Sequence, residues 1–413
     1  MIGAAAPLPV AVKRILFVDD EPNVLHGLQR MLRPMRAQWQ MDFVTGGLEA
    51  LVFVEHHHVD VVVTDMRMPG MDGVALLQRL VEQHPRIVRI VLSGHAERES
   101  LMRGAAVAHQ YLSKPCEPDV LRTKLTQACG LSALLADARL NEVASRLKTL
   151  PALAHAYDEA LSELDSGGAS VAGVAAVIER DLGMAANVLQ LANATCAGES
   201  GRIATCREAI DRLGLDTIRG LIRSMDVFGR IAPDGSRGYD VEGLAHHSCL
   251  VGRCAQVIAQ DQGATPHAAA EAATAGLLHD VGKLVLADAL GAEYTEALRD
   301  GFGDGRAVWE IEADAFGASH ADVGAYLLGL WGFSEQIIAA TAWHHRPSEI
   351  GTRGLLTLTA VHAADAIAHR LEQRVNREPS AAVPDGAYLA AIGRADAMPR
   401  WLELCTGHEN RDA

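Results

Sequence analysis

Two hydrophobic rhythms divide the chain. Up to about residue 130, short runs that are apolar at nearly every position alternate with stretches whose apolar residues recur at helical spacing. The runs are Arg14–Val18, Val59–Thr64 and Ile87–Leu92, with a weaker one at Gln110–Ser113 and a further strand candidate at Met41–Val44. A run apolar throughout suits a strand covered on both faces, because successive side chains of a strand point to opposite sides of its sheet. The helical stretches are Asn23–Leu32, Gly47–His56, Val74–Gln83, Arg98–His109 and Asp119–Cys129. This alternation predicts an α/β doubly wound domain over residues 12–130, built on a five-stranded parallel sheet. Residues 1–11, with Pro7 and Pro9, read as a flexible lead-in.

Beyond Leu150-Pro151 the strand signals stop. Helical patterns follow at His155–Leu164, Val171–Asp181, Ala185–Asn193, Thr205–Leu213 and Asp216–Phe228, punctuated by Gly183, Gly201 and Gly214. They predict an all-α domain over 149–370 and a helical extension over 371–413, whose helical parts are Tyr388–Ile392 and Pro399–Cys405 and whose last residues fray. Between the domains, the linker 131–148 carries Leu131, Leu134, Leu135, Ala138, Val143 and Leu147 at roughly helical spacing. Two readings stay open for it. It continues the last helix of the first domain as a signalling helix that pairs in a homodimer, or it packs as an amphipathic helix on its own chain.

Composition narrows the function classes. Aromatic residues make up only 4% of the chain, and alanine and leucine dominate, which favours helices over sandwiches or barrels. The formal charge of -15 argues against non-specific affinity for nucleic acid or an anionic membrane, and no basic recognition helix stands out. No apolar run reaches membrane-spanning length, and Lys13 and Arg14 follow the apolar N-terminal run, the reverse of a secretory signal. The seven cysteines are odd in number and lack CxxC spacing, as suits free thiols in a reducing compartment. These features predict a cytoplasmic protein.

Polar residues in the first domain fall where a doubly wound sheet binds ligands, at the carboxyl ends of its strands. Asp19, Asp20 and Asp65 converge there, and three carboxylates need a cation to stay ionised together; hard oxygen donors suit Mg2+. Ser93 and Lys114 supply a hydroxyl and an ammonium at the same edge. The set describes a site for a phosphoryl group, with one carboxylate as nucleophile. The words Val18-Asp19-Asp20-Glu21, Thr64-Asp65-Met66-Arg67-Met68-Pro69-Gly70-Met71-Asp72-Gly73, Leu92-Ser93-Gly94 and Tyr111-Leu112-Ser113-Lys114-Pro115 resemble, in order and spacing, the receiver domain of two-component response regulators. The resemblance implies Asp65 as phosphoacceptor and Asp19, Asp20 and the Arg67 carbonyl as Mg2+ ligands beside it. It also implies Ser93 and Tyr111 as the switch pair, and a cis Lys114-Pro115 peptide that places the lysine. The implied partner is a sensor histidine kinase or a phosphotransfer protein.

The second domain holds its chemistry in histidines. Leu277–Lys283 sets His279 and Asp280 side by side in an apolar helix, where a buried pair of this kind calls for a charged satisfier, most often a divalent metal. Adjacent helical residues can reach one ion, and further ligands must come from other helices. His56-His57-His58 and His267 read as exposed and loop-like. The words Ile178-Glu179-Arg180-Asp181-Leu182-Gly183-Met184, Leu191-Ala192-Asn193-Ala194 and Ala209-Ile210-Asp211-Arg212-Leu213-Gly214 resemble the HDOD output domain, a relative of the HD metal-dependent phosphohydrolases. By this resemblance His247 and Asp365 match the outer positions of the HD pattern around His279-Asp280. His320 and His344 match further ligands of its two-metal HD-GYP branch, and Lys283 would contact a phosphate. Iron, manganese or zinc is the implied metal. HD-GYP enzymes carry an acidic residue after the paired histidines and a later Gly-Tyr-Pro; here Arg346 follows His344-His345 and that tripeptide is absent. The expected output is therefore binding of a partner protein, with phosphohydrolysis gated by phosphorylation as the alternative.

Overall fold

The computed structural model describes residues 12–93, 107–131, 135, 137–147, 149–195, 203–223, 230–231, 239–302, 306–350, 355–376 and 383–412. The chain forms two compact units, 1–130 and 131–413.

The first unit is a five-stranded parallel sheet of β1 (Lys13–Val18), β2 (Trp39–Val44), β3 (Val61–Thr64), β4 (Val88–Ser93) and β5 (Gln110–Ser113), in the order β2-β1-β3-β4-β5. The central strands are covered on both sides, with Ile15, Leu16, Val61, Val62, Ile90 and Val91 at 0% exposure, which explains why their sequence shows no polar alternation. Helices Pro22–Leu32, Gly47–His56, Gly73–Gln83 and Pro118–Gly130 complete the described part. Asp72 caps the third of these through its side chain, which accepts the Ala75 amide at 2.7 Å. The expected helix Arg98–His109 lies mostly outside the described residues, and His109 leads directly into β5.

The second unit is helical, as the loss of strand signals predicts, apart from one short parallel pairing of Ala152–Leu153 with Arg230–Ile231. Helix Val241–Asp261 lies against helix Pro266–Leu278 at a point of close backbone approach, where a Cβ on Gly276 would meet the Gly252 Cα at 2.8 Å. Two boundaries differ from expectation. The helix expected to run to Asp181 stops at Ile178, and the Asp181 carboxylate instead accepts the amides of Met184 (2.7 Å) and Leu153 (2.8 Å). The final helix, Met398–Asp412, runs well past Cys405.

The described part of the linker packs on its own unit. Helix Ala138–Arg146, capped by Asp137, is separate from the helix ending at Gly130. Leu131, Leu135, Leu140 and Ala144 are buried. A buried polar network then ties it to helix His320–Leu330: Tyr326 Oη donates to Asn141 Oδ1 at 3.1 Å and lies 2.9 Å from Ser145 Oγ. No helix among the described residues is long and apolar enough to cross a membrane.

Candidate functional sites: an acidic pocket and a histidine cluster

The acidic pocket forms at the carboxyl edge of the sheet. Asp19 follows β1 and is buried, its carboxylate accepting the Glu21 amide at 2.9 Å. Asp20 is half-buried beside it. Asp65 follows β3, its amide bonded to the Val18 carbonyl at 2.9 Å and its carboxylate accepting the Arg67 amide at 2.6 Å. Lys114, held by a cis Lys114-Pro115 bond after β5, reaches between them. Its Nζ lies 2.6 Å from Asp19 Oδ2 and also contacts Asp65 Oδ1. Burial alone would lower the lysine's pKa, but the bonds to Asp19 and Asp65 outweigh it and hold the value above normal. Tyr111 is buried with its hydroxyl unpartnered, and burial pushes its pKa up. Ser93 ends β4, and its side chain lies outside the described residues. Gly73 is required by contact: a Cβ there would lie 2.1 Å from the Asp65 carbonyl oxygen.

The all-oxygen donors and their excess of negative charge over the single ammonium fit a hard divalent cation. Asp19, Asp20 and Asp65 are not, however, among the trios whose ligand atoms lie within 4.8 Å of one another; among the described residues those all fall in the second unit.

There the cluster draws on five places in the fold. His247 comes from helix 241–261 and Asp365 from helix Leu356–Asn376. His279 and Asp280 do not sit inside a helix as expected. They form the turn between helix 266–278 and helix Val281–Leu290, which aims both side chains the same way. His320 starts helix 320–330, and His344 follows helix Glu335–Trp343. Gly282, at the start of the second of these helices, lets it approach helix 320–330 closely: a Cβ there would lie 1.9 Å from the His320 carbonyl oxygen. Lys283 Nζ donates to Asp280 Oδ2 at 2.5 Å, so it neutralises the acid from the helix side.

One nitrogen of each inner histidine is committed elsewhere. His279 Nδ1 bonds the Gly276 carbonyl (2.7 Å) and His344 Nδ1 the Thr341 carbonyl (2.8 Å). Glu312, fully buried, accepts from His320 through both its Nδ1 (2.5 Å) and its backbone amide (2.7 Å), and from the Tyr294 hydroxyl (2.6 Å). The Nε2 atoms therefore face inward, the arrangement that second-shell bonds impose on metal-binding histidines. His320 Nε2 lies 3.1 Å and His344 Nε2 3.7 Å from Asp280 Oδ1; His279 Nε2 lies 3.4 Å from Asp280 Oδ2 and 3.7 Å from Asp365 Oδ1. His279 Nε2, Asp280 Oδ1 and His344 Nε2 are buried without a hydrogen-bond partner. An unpartnered buried polar atom costs about 1–3 kcal/mol, so three converging on one point fit a cation at that point.

Electrostatics divides the histidines. Burial would lower His247 and His279, but the carboxylates of Asp365 and Glu372 around the first, and of Asp280 and Asp365 around the second, raise both to about 9. Burial and the charge of His279 push His344 down to about 3, and burial with His344 pushes His345 well below the usual range. Burial would raise Asp280 and Asp365, yet the surrounding histidines hold both well below the carboxylate range. Neutral imidazoles and ionised carboxylates are the forms that bind metal.

The structure brings together all six expected members of the cluster and adds residues that sequence reasoning missed. His345 Nε2 lies 2.9 Å from His320 Nε2, and Asp280, His320, His344 and His345 offer ligand atoms within 4.8 Å of one another. His369 and Glu372 approach Asp365 and His247 from the same helix as Asp365. His369 and Glu372 follow Asp365 at helical spacing, a signal present in the sequence; Glu312 had none.

Known proteins match both units. The response regulator receiver domain model matches residues 15–126 and the HDOD domain model residues 150–347. The hydrogenase transcriptional regulatory protein HoxA of Cupriavidus necator is 32% identical over 154 residues, 37% of this chain, and the match spans only 31% of that regulator's length. The MmoQ response regulator of Methylococcus capsulatus Bath is 26% identical, with 62% of this chain and 98% of that one covered and a TM-score of 0.48. The signal receiver domain of an HD domain-containing protein from Pseudomonas fluorescens Pf-5 is 31% identical, covering 28% and 93% with a TM-score of 0.27. The two family matches, falling one on each unit, identify the chain as a two-component response regulator with a receiver domain and an HDOD output domain.

Proposed function

We propose that this response regulator takes a phosphoryl group on Asp65 from a phosphohistidine donor and that its HDOD domain is a metal-dependent phosphohydrolase controlled by that event. In the receiver, Asp19, Asp20, Asp65 and the Arg67 carbonyl would hold Mg2+, which would neutralise the phosphoryl oxygens. Lys114 would give up its contacts with Asp19 and Asp65 and bond the new phosphate. Ser93 and Tyr111 would follow it inward, and the unpartnered Tyr111 hydroxyl supplies a group free to change its bonding.

In the output domain His247, His279, Asp280 and Asp365 would hold one metal, and Asp280, His320, His344 and His345 a second, with Asp280 shared. Such a pair, of manganese, iron or zinc, supplies charge neutralisation and an acidified water for phosphoester cleavage. The chain's own residues do the rest. Glu312 fixes the ring of His320, and Lys283 holds Asp280 and stands ready for a phosphate oxygen. The single observation that carries the reading is the trio of buried, unpartnered donors, His279 Nε2, Asp280 Oδ1 and His344 Nε2.

A second reading, output by binding a partner protein, draws support from the shielding of His279, Asp280, His320 and His344, which are at most 1% exposed. The test is hydrolysis of bis(p-nitrophenyl) phosphate by the manganese-loaded full-length protein, with and without acetyl phosphate. Turnover that is lost in His279→Ala and altered by acetyl phosphate supports the enzyme. No turnover by protein that carries its metal favours the partner reading.

A further inference from the structure

One of the partly exposed edges of the cluster lies along helix 356–376; His345, 20% exposed, marks another. Asp365, His369 and Glu372 follow one another at intervals of four and three residues, which places them on one face of that helix. His369 Nε2 lies 3.3 Å from Asp365 Oδ1, and the His369 ring centroid 4.4 Å from that of His247. Glu372 Oε2 lies 3.0 Å from His247 Nδ1 and 4.0 Å from His369 Nδ1. His247, Asp365 and His369 offer ligand atoms within 4.8 Å of one another, and so do His247, His279 and Asp280.

Side-chain exposure falls steadily across these residues. It is 28% at His369 and 24% at Glu372, 8% and 7% at His247 and Asp365, and 0% and 1% at His279 and Asp280. His247 belongs to both triads, and with Nδ1 held by Glu372 it has a single nitrogen, Nε2, left for an ion. The two triads are thus successive positions along one path. A hydrated cation cannot enter the dry inner site with its water shell intact. Three donors that begin at the partly exposed His369 can replace part of that shell first, and the Glu372 carboxylate adds negative charge at the entrance.

We propose that His369, Asp365 and His247 form an outer metal-binding position, where a divalent transition-metal ion from solvent is first held before His279 and Asp280 receive it. The donors, two imidazoles and a carboxylate, suit manganese, iron, cobalt or zinc over magnesium or calcium. The proposal rests on the reading that the inner cluster holds metal.

The test uses full-length apo-protein and Co2+, followed by stopped-flow visible absorbance, with bound cobalt then measured by elemental analysis. His369→Ala should slow the appearance of the cobalt band by ~10-fold or more while final amplitude and cobalt content stay at the wild-type level, because entry loses its first ligand and the resident ligands remain. Glu372→Gln should slow it less. His369→Gln serves as a second variant, and circular dichroism checks the fold of each. Equal loading rates in wild type and both His369 variants overturn the outer position alone. So does a lost final amplitude, which makes His369 a resident ligand. Folded wild-type protein that takes up no cobalt overturns the metal reading itself, and the outer position with it.

Discussion

The acidic pocket and the histidine cluster are both built where chain segments converge, but they balance charge in opposite ways. In the pocket the chain satisfies itself: Lys114 spans Asp19 and Asp65, and the Arg67 amide takes the remaining Asp65 oxygen. In the cluster Lys283 answers one oxygen of Asp280, while the other oxygen and two imidazole nitrogens have charged neighbours but no hydrogen-bond partner. A pocket whose buried carboxylates are already bonded by the chain suits groups that come and go, such as a phosphoryl group and its Mg2+. A site with converging unpartnered donors suits a resident ion, because an unpartnered polar atom in a buried place lowers stability. The two sites still share one device, a glycine pressed against the carbonyl of a functional residue: Gly73 on Asp65 and Gly282 on His320.

This contrast can be broken in several ways. The largest effect belongs to Asp65→Asn, which should abolish labelling by radioactive acetyl phosphate while leaving the metal content of the output domain unchanged. Labelling that persists would remove Asp65 from its proposed role. Next comes Glu312→Ala, which strips a buried carboxylate from three donors and should lower apo-protein stability by about 3–5 kcal/mol in urea titration. A loss under 1 kcal/mol would mean that Glu312 is not what holds His320.

The glycine pair sharpens the comparison further. Gly73→Ala and Gly282→Ala each force a backbone shift, at a cost of about 1–3 kcal/mol. The first should slow phosphorylation without altering metal affinity, and the second should do the reverse. Effects that cross over would show that the two sites are not independent. The smallest effect is a pH trend. His247 and His279 have folded-state values raised from 6.5 to about 9. Their contribution to apo-protein stability is therefore complete below about pH 6.5 and is lost as pH rises through about 9. Melting temperatures of the apo-protein should decline over that interval, and the metal-loaded protein should lose the trend, because the ion displaces those protons.

The fold of the first unit was legible almost throughout, and three of its candidate site residues directly follow strand runs. Asp19 and Asp65 are marked by the ends of β1 and β3, and Lys114 by the end of β5. The cluster was legible only in part. His279-Asp280 has apolar residues on both sides, so its periodicity read as one continuous helix, whereas the chain breaks there between helices 266–278 and 281–290. Glu312 reaches His320 across the turn at Gly317, a pairing that periodicity does not encode. His345 was passed over beside His344, although the structure turns both toward Asp280. The described part of the linker packs on its own unit, and Asn141 and Ser145, which interrupt its apolar stripe, bond Tyr326.

The claim that the histidine cluster is incomplete without an ion is tested most directly by the metal content of the purified full-length protein, measured beside His279→Ala prepared identically. The account predicts stoichiometric manganese, iron or zinc in the wild type and its loss from the folded variant. No bound metal in either protein, even after reconstitution, would contradict it.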